Sequence, residues 1–307
     1  MNILEAEHLN KSYRDRKRSV VAVEDVSLSM AAGEVLAFLG PNGAGKTTTI
    51  KMIAGLILPD RGWVKIAGRD PYQDTRALRS IGAVLEGNRN LYWRLTPAEN
   101  LEYFGVLRGL TRRTARQRQQ VLLERFGLTD RRQTVVQSLS RGMQQKLAIA
   151  VALIHDPQLL LLDEPTLGLD VEATESVKQL VREIAAEGRA ILLTTHQLNI
   201  AEELSDRVAI INQGKILVQE PTIDLIRQFS GSAYVLELEQ ELDRDRLNQL
   251  TVLGAVVNAK TLYIPKTELL YQVLAILKPL PLVRVEKDQA NLTEIFLKFV
   301  RDGRIAQ

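Results

Sequence analysis

The stretch of the 307-residue chain richest in chemistry is Gly40-Pro41-Asn42-Gly43-Ala44-Gly45-Lys46-Thr47, with Thr48 following it. It sits directly after the apolar run EVLAFL and before the helical stretch TTTIKMIAGL. A phosphate chain carries several negative charges and needs backbone N–H groups aimed inward with no side chain in the way; glycines allow that close approach. The following helix adds the positive end of its dipole, Lys46 reaches the terminal phosphates, and the Thr47 hydroxyl can ligate magnesium. The competing reading is an ordinary glycine-rich turn, and the strand before and helix after weigh against it.

A second group is Leu159-Leu160-Leu161-Leu162-Asp163-Glu164. A buried strand with two acids at its carboxyl end delivers them to the crevice where open α/β sheets bind ligands. Asp163 can hold magnesium, directly or through water, and Glu164 is placed to orient and deprotonate a water attacking a terminal phosphate. Alone, such a run is a plain strand followed by a turn; the phosphate loop upstream reverses that weighting. A further run, AILLTT, ends at His196, one of three histidines. A histidine at a strand end is usually polar surface, but the same sheet edge would bring this one near the phosphate.

The elements that must position these groups are legible from period and punctuation. The first seventy residues alternate apolar and polar positions in short runs (NILEAEHL, VAVEDVSLSM, EVLAFL, GWVKIAG) separated by AAGE and PDRG turns, which predicts strands. Thr96-Pro97-Ala98-Glu99 combines an N-cap, proline at the first helical position and a capping-box glutamate, so a helix is expected to about Leu107. A second is expected over 112–126, ending at Gly127, and a third from Ser140 to Ile154. Leu159–Leu162, a helix from Asp170 to Gly188 and Ala190–Leu193 then read as a βαβ unit of a parallel sheet. A turn at Gln213-Gly214, a helical stretch over 222–229 and Ser230-Gly231-Ser232 suggest a domain boundary, giving 1–229 and 230–307. The second part reads strand, helix, strand, strand, helix, strand, helix, the order of a split βαβ, ferredoxin-like module.

Composition sets the outer limits. Apolar residues are 45%, charged residues 25% and aromatic residues 5%, which fits an aliphatic globular chain with a sizeable core and excludes a disordered one. Forty Lys and Arg against thirty-seven Asp and Glu leave a formal charge of +3, too small to imply nucleic-acid binding. With no cysteine, disulfides, thiolate nucleophiles and Cys-ligated zinc are ruled out. MNILEAEHLNKSY carries acids where a secretion signal needs an apolar core, and apolar stretches such as Leu147–Ile154 fall short of the roughly 18–20 residues that cross a bilayer.

With the phosphate loop and the acidic pair in place, Leu139-Ser140-Arg141-Gly142-Met143-Gln144-Gln145 between them is similar to the LSGGQ signature of ABC transporters. Over about residues 3–225 the chain resembles the nucleotide-binding subunit of that family. The resemblance implies an α/β fold with an ABC-type P-loop NTPase core, an antiparallel β subdomain and a helical subdomain over about 87–155, joined to the small α+β C-terminal domain. It implies ATP and Mg²⁺, the ATP being sandwiched between the phosphate loop of one subunit and Ser140 and Gly142 of a second. A serine N-cap and a glycine at a helix start make a fitting anion site. By the same resemblance Gly168-Leu169-Asp170 matches the D-loop, His196 the switch histidine, and Tyr13 the position where an aromatic ring stacks on adenine; an isolated tyrosine there also reads as a strand-edge residue.

Two departures stand out. Arg141 replaces a small glycine and Met143 a glutamine of the signature, while Glu86 in IGAVLE occupies the place of a magnesium-contacting glutamine and adds negative charge near the metal. Ser140 and Gly142 survive, so activity is expected. The signature and the C-terminal extension resemble the subgroup that pairs with separate exporter permeases. The expectation is a peripheral ATPase on the cytoplasmic face of the cell membrane, dimeric with ATP, coupled to a transmembrane permease and without a nucleic-acid partner. Alternatives are an importer subunit, a soluble ABC-type ATPase acting on ribosomes or DNA, and a nucleotide sensor without turnover; Glu164 argues against the last. The basic runs Arg14–Arg18 and Arg112–Arg118 read as solvated surface or as contacts to anionic lipid or an acidic permease loop.

Overall fold

The structure is a computed structural model and describes residues 2–15, 18–85, 91–230, 233–287 and 290–302. The chain divides into two compact units, Met1–Thr222 with Phe299–Gln307, and Ile223–Lys298.

In the first unit, β1 (Asn2–Asp15), β2 (Arg18–Ala31) and, after β3 (Val35–Leu39) and α1 (Lys46–Ile53), β4 (Arg61–Ile66) supply the strands expected in the first seventy residues. β2, β1 and β4 form a three-stranded antiparallel sheet. A short α2 (Thr75–Arg79), capped by Asp74 and absent from the sequence reading, leads into β5 (Ile81–Val84). The helical section follows as α3 (Pro97–Leu107), α4 (Arg112–Arg125) and α5 (Arg141–Leu153). α3 carries the expected box: Thr96 accepts from the Glu99 amide and Glu99 accepts from the Thr96 amide. Thr111 and Ser140 cap the other two.

β6 (Leu159–Asp163), α6 (Val171–Ala186) and β7 (Ala190–Thr194) form the expected βαβ unit, β6 and β7 being adjacent and parallel. α7 (Leu198–Leu204), β8 (Arg207–Asn212) and β9 (Lys215–Pro221) complete the unit. The main sheet has the order β5-β6-β7-β3-β8-β9, parallel except for the edge strand β9, which returns from β8 through a Gln213-Gly214 turn with both residues at positive φ. β3, β6 and β7 are buried at every position, which explains why their sequences are continuous apolar runs.

Alternate residues of those strands divide between two faces. Leu36, Phe38, Leu159, Leu161, Ala190 and Leu192 share a core with Ile50, Met52 and Ile53 of α1 and with Leu4, Val26, Leu28, Val64 and Ile66 of the antiparallel sheet. Each fully buried aliphatic side chain contributes roughly 1.5–3 kcal/mol, so this core fixes α1 between the two sheets.

The second unit contains most of α8 (Thr222–Phe229), then β10 (Tyr234–Leu238), α9 (Arg244–Val252), β11 (Val256–Asn258), β12 (Thr261–Ile264), α10 (Leu270–Leu277) and β13 (Leu282–Lys287); α11 (Leu292–Asp302) ends the described chain. Its sheet has the order β11-β12-β10-β13 with antiparallel neighbours. β10 and β11 are therefore parallel with β12 between them, the split βαβ arrangement. Leu236, Leu238, Leu250, Leu262, Ile264, Val273 and Leu277 form its own core.

Candidate functional site

The loop Gly40–Gly45 leaves β3 at its carboxyl end and enters α1. Its glycines answer steric demands: a Cβ on Gly40 would lie 2.4 Å from the Ile211 carbonyl oxygen, and one on Gly45, which has φ 112°, 2.4 Å from that of Ala22. At Gly43, by contrast, a Cβ would meet nothing within 4 Å, so that side of the loop is open. Gly45 gives α1 no side-chain cap, and the first helical bond runs from the Thr49 amide to the Gly45 carbonyl. The amides of Lys46, Thr47 and Thr48 therefore have no partner inside the helix. Asn42 and Ala44 complete the loop, the Ala44 amide closing a turn on the Pro41 carbonyl. Lys46 Nζ donates to the carbonyls of Gly40 (2.6 Å) and Pro41 (3.2 Å), folding the ammonium over its own loop. Burial lowers its pKa, and the negative charges of Glu164 and Asp163 oppose that shift.

Those carboxylates arrive from β6. The β6–β7 register sets Asp163 opposite Thr194, whose hydroxyl donates to Asp163 Oδ1. Glu164 has φ 51°, a left-handed backbone rarely adopted by a glutamate, and its amide donates to the Thr194 carbonyl (3.0 Å). Its Oε1 is 2.9 Å from His196 Nδ1, while its Oε2 is buried with no hydrogen-bond partner among the described residues. His196 itself is largely exposed, 58% by side chain, against 14% for Glu164. One carboxylate oxygen is thus held and the other is unsatisfied in a protected place.

The segment after Glu164 is also built in. Thr166 donates to Gln197 Oε1 (2.7 Å), and Asp170 caps α6 by accepting from the Ala173 amide (2.8 Å). Ser140 caps α5 through the Met143 amide (3.3 Å). A Cβ on Gly142 would stand 2.7 Å from that of Ala173, and one on Gly168 would stand 3.1 Å from Arg141 Nη1. The start of α5 therefore lies against the turn that precedes α6. Gln144 is buried and donates to the carbonyls of Val136 and Leu139, fixing the approach to Ser140. A cavity of about 280 Å³ lies where these parts meet, lined by Asp163, Glu164, Arg141, Gln145, Trp93 and Val84 among others.

Of the residues singled out by sequence, the loop with Lys46 and the pair Asp163 and Glu164 with His196 are gathered at the carboxyl ends of β3, β6 and β7. Tyr13 is 43% exposed on β1, opposite Val20 of the strand whose Ala22 touches Gly45. Glu86 lies outside the described residues. Arg112 and Arg116 pair with Glu102 (3.5 and 2.9 Å), and Arg118 with Asp156 (3.7 Å), so part of that basic run is answered within the chain. Sequence reasoning missed Thr194, Thr166 and Gln197. Counting along the two apolar runs from Leu159 and Ala190 would have found Thr194, because equal steps reach Asp163 and Thr194 together.

Among the described residues no three His, Cys, Asp or Glu side chains converge as a metal cage. Magnesium bound beside phosphates needs only one or two protein ligands, which Thr47 and Asp163 can provide. The open loop and the unpartnered Glu164 oxygen fit a triphosphate and a water respectively.

A family model described as "ABC transporter" matches residues 23–167. The chain is 41% identical over 209 residues to the ABC transporter ATP-binding protein NatA of Bacillus subtilis (strain 168), covering 68% of this chain and 85% of that one. It is 33% identical over 303 residues to the daunorubicin resistance ATP-binding protein DrrA3 of Streptomyces coeruleorubidus, covering 96% and 94%. Among solved structures, an ATP-binding subunit of an ABC transporter superposes with a TM-score of 0.66 at 35% identity, over 74% of this chain and 93% of that one. A dimeric, post-hydrolysis ATP-binding cassette bound to ADP and Pi superposes at 0.65 with 27% identity, over 71% and 98%.

Proposed function

The chain belongs to the ABC transporter family, and on that premise we propose that it is the ATP-hydrolysing subunit of an exporter, driving a separate membrane permease through the closing and reopening of an ATPase dimer. The named relatives support export: drug-resistance ATP-binding proteins and, at 38% identity, a Nod factor export ATP-binding protein of Ralstonia nicotianae. In this reading the cargo is recognised by the permease, the matched relatives being named as ATP-binding proteins. Among the described residues no helix is long and apolar enough to cross a membrane.

In this reading the loop amides of residues 42–48 and Lys46 bind the triphosphate, Tyr13 stacks on the base, and Thr47 with Asp163 holds magnesium. Magnesium, when bound, supplies positive charge against the phosphate oxygens. Glu164 orients the attacking water through Oε2 and takes its proton, while the water oxygen bonds to the γ-phosphorus and the bridging oxygen leaves with ADP. His196 holds Oε1, which leaves Oε2 as the oxygen that acts. Ser140 and Gly142 serve the nucleotide of the opposite subunit.

The observation that carries the reading is the divided Glu164 carboxylate, one oxygen held by His196 and one buried and unpartnered, within the electrostatic reach of Lys46. Replacing Lys46 with alanine is the direct test. Binding of ATP, measured by titration calorimetry, is expected to weaken beyond detection, and unchanged affinity would remove Lys46 from the phosphate site.

A further inference from the structure

The second unit ends its sheet on β13, and that strand is unlike the others in the chain. All six of its residues, Leu282–Lys287, are exposed, with Val283 at 61% and Val285 at 42%. The opposite edge, β11, has only three residues. An edge strand offers a row of unpaired backbone N–H and C=O groups, and natural sheets shorten, cover or charge such edges. β13 is neither short nor covered among the described residues, and its one irregularity, a register shift against β10 between Leu282 and Arg284, lies before the Arg284–Lys287 segment that pairs regularly. It carries charges, but of both signs and in a particular order.

The register with β10 assigns their faces. Val285 stands opposite buried Leu236, on the face packed by the unit's core, whereas Arg284 and Glu286 stand opposite Glu237 and Val235 on the other face. Two copies of this edge can pair antiparallel only about a two-fold axis perpendicular to the sheet, which keeps like faces together. Three registers are then close in position. An axis through Arg284 sets arginine against arginine, and one through Glu286 sets glutamate against glutamate; each is destabilising. An axis through Val285 sets the Arg284 of each copy opposite the Glu286 of the other, twice, with the two valines meeting on the core face. Within one copy Arg284 and Glu286 already pair along the strand, so the charges are poised on one face and need only exchange partners. Parallel in-register pairing gives like charges throughout and is excluded by the same residues.

We propose that β13 is a self-association edge, joining the C-terminal units of two copies of this chain into one continuous antiparallel sheet centred on Val285. A pair of six-residue strands buries less than the roughly 1,000 Å² of a stable independent interface. Its effect is a tether: it keeps two ATPase domains at high local concentration and does not itself require nucleotide. Bound to each other this way, two subunits could part at their nucleotide sites and still reclose on the same partner.

The absence of cysteine from the chain makes the test clean. In a V285C variant of the full chain the only thiol lies on the proposed axis, where facing Cα atoms would be about 4.5–5.5 Å apart, inside the disulfide range of roughly 4.4–6.8 Å. Without nucleotide and under a mild oxidant, V285C is expected to form a linked dimer at least about tenfold faster than V252C, a control at a residue 87% exposed on α9. Adding E286R should bring the rate down to that of the control, and adding R284E as well should restore it, with circular dichroism confirming that every variant is folded. The proposal is overturned if V285C links no faster than V252C, or if charge reversal leaves its rate unchanged. Because no ATP is present, either result is independent of the ATPase assignment.

Discussion

At the residue scale the chemistry comes down to what each oxygen of Glu164 is doing. Its Oε1 faces His196 Nδ1, its Oε2 is buried without a partner, and its backbone is held at positive φ by the bond from its own amide to Thr194. A Glu164→Gln variant keeps the size and the fold of that position but cannot take a proton. It is expected to bind ATP normally and lose turnover by about 10²–10⁴-fold in a phosphate-release assay, the usual contribution of a general base. The acids themselves were legible in sequence because a buried run must end somewhere and two carboxylates ended it. The division of the carboxylate was not legible, because it depends on a parallel register between segments 31 residues apart. A second residue shows the cost of a buried titratable group. His155 donates from Nε2 to the Ile81 carbonyl (2.9 Å), its Nδ1 is buried without a partner among the described residues, and burial depresses its pKa to about 4. A folded-state value below the unfolded value of about 6.5 means the unfolded chain takes up the proton first. Stability from this group is whole above pH 6.5 and falls as pH drops from 6.5 to 4, by of order 2 kcal/mol. Urea midpoints taken across that window should decline in the parent and flatten in His155→Asn; equal slopes would show that other groups set the decline.

At the level of elements, local signals decided most of the architecture. The Thr96-Pro97-Ala98-Glu99 box, Ser140 and Asp170 all begin helices as their types and spacing require, and the three fully buried strands of the main sheet were continuous apolar runs. The helices that escaped reading are short. α2 has five residues and α7 seven, too few turns to develop a repeating apolar face, and their position is set by packing instead of propensity. In the candidate site the phosphate loop, acids and signature were all visible, but not the packing of the signature segment against the start of α6, since the close approaches of Gly142 to Ala173 and of Gly168 to Arg141 join segments that sequence separates. The α3 cap offers a clean check on the helical section. Thr96→Ala removes a hydroxyl that accepts from the Glu99 amide and donates to its carboxylate. The variant should lose about 1 kcal/mol in chemical denaturation, whereas Thr96→Ser should stay near the parent. A loss of the same size in both would place the effect in packing and not in the cap.

On the scale of the whole molecule, the positions of the two halves of the nucleotide machinery matter more than either half. The phosphate loop, Asp163 and Glu164 lie at the carboxyl ends of the main sheet, while Ser140 begins α5, a separate helix start with its own free amides. On the proposed reading a single subunit binds ATP with the first half while the second half serves a partner, and closure of the pair is where the difference in binding becomes motion. Ser140→Arg separates the two roles. It puts a long cation at the start of α5 without touching the phosphate loop, so ATP affinity of the isolated subunit is expected to change less than about threefold, a difference worth under 1 kcal/mol. ATP-driven dimerisation, followed by light scattering on a Glu164→Gln background that holds ATP unhydrolysed and carries Glu286→Arg to remove the nucleotide-independent β13 pairing, should disappear. The hydroxyl also caps α5 through the Met143 amide, so part of any effect is helix stability. Ser140→Ala measures that part alone: it removes the cap, at about 1 kcal/mol, and places no obstacle before the partner's nucleotide. Dimerisation lost in the arginine variant and retained in the alanine variant assigns the helix start to the opposite subunit's phosphate. Dimers forming normally with arginine at full ATP occupancy would mean that the two copies do not meet across this signature.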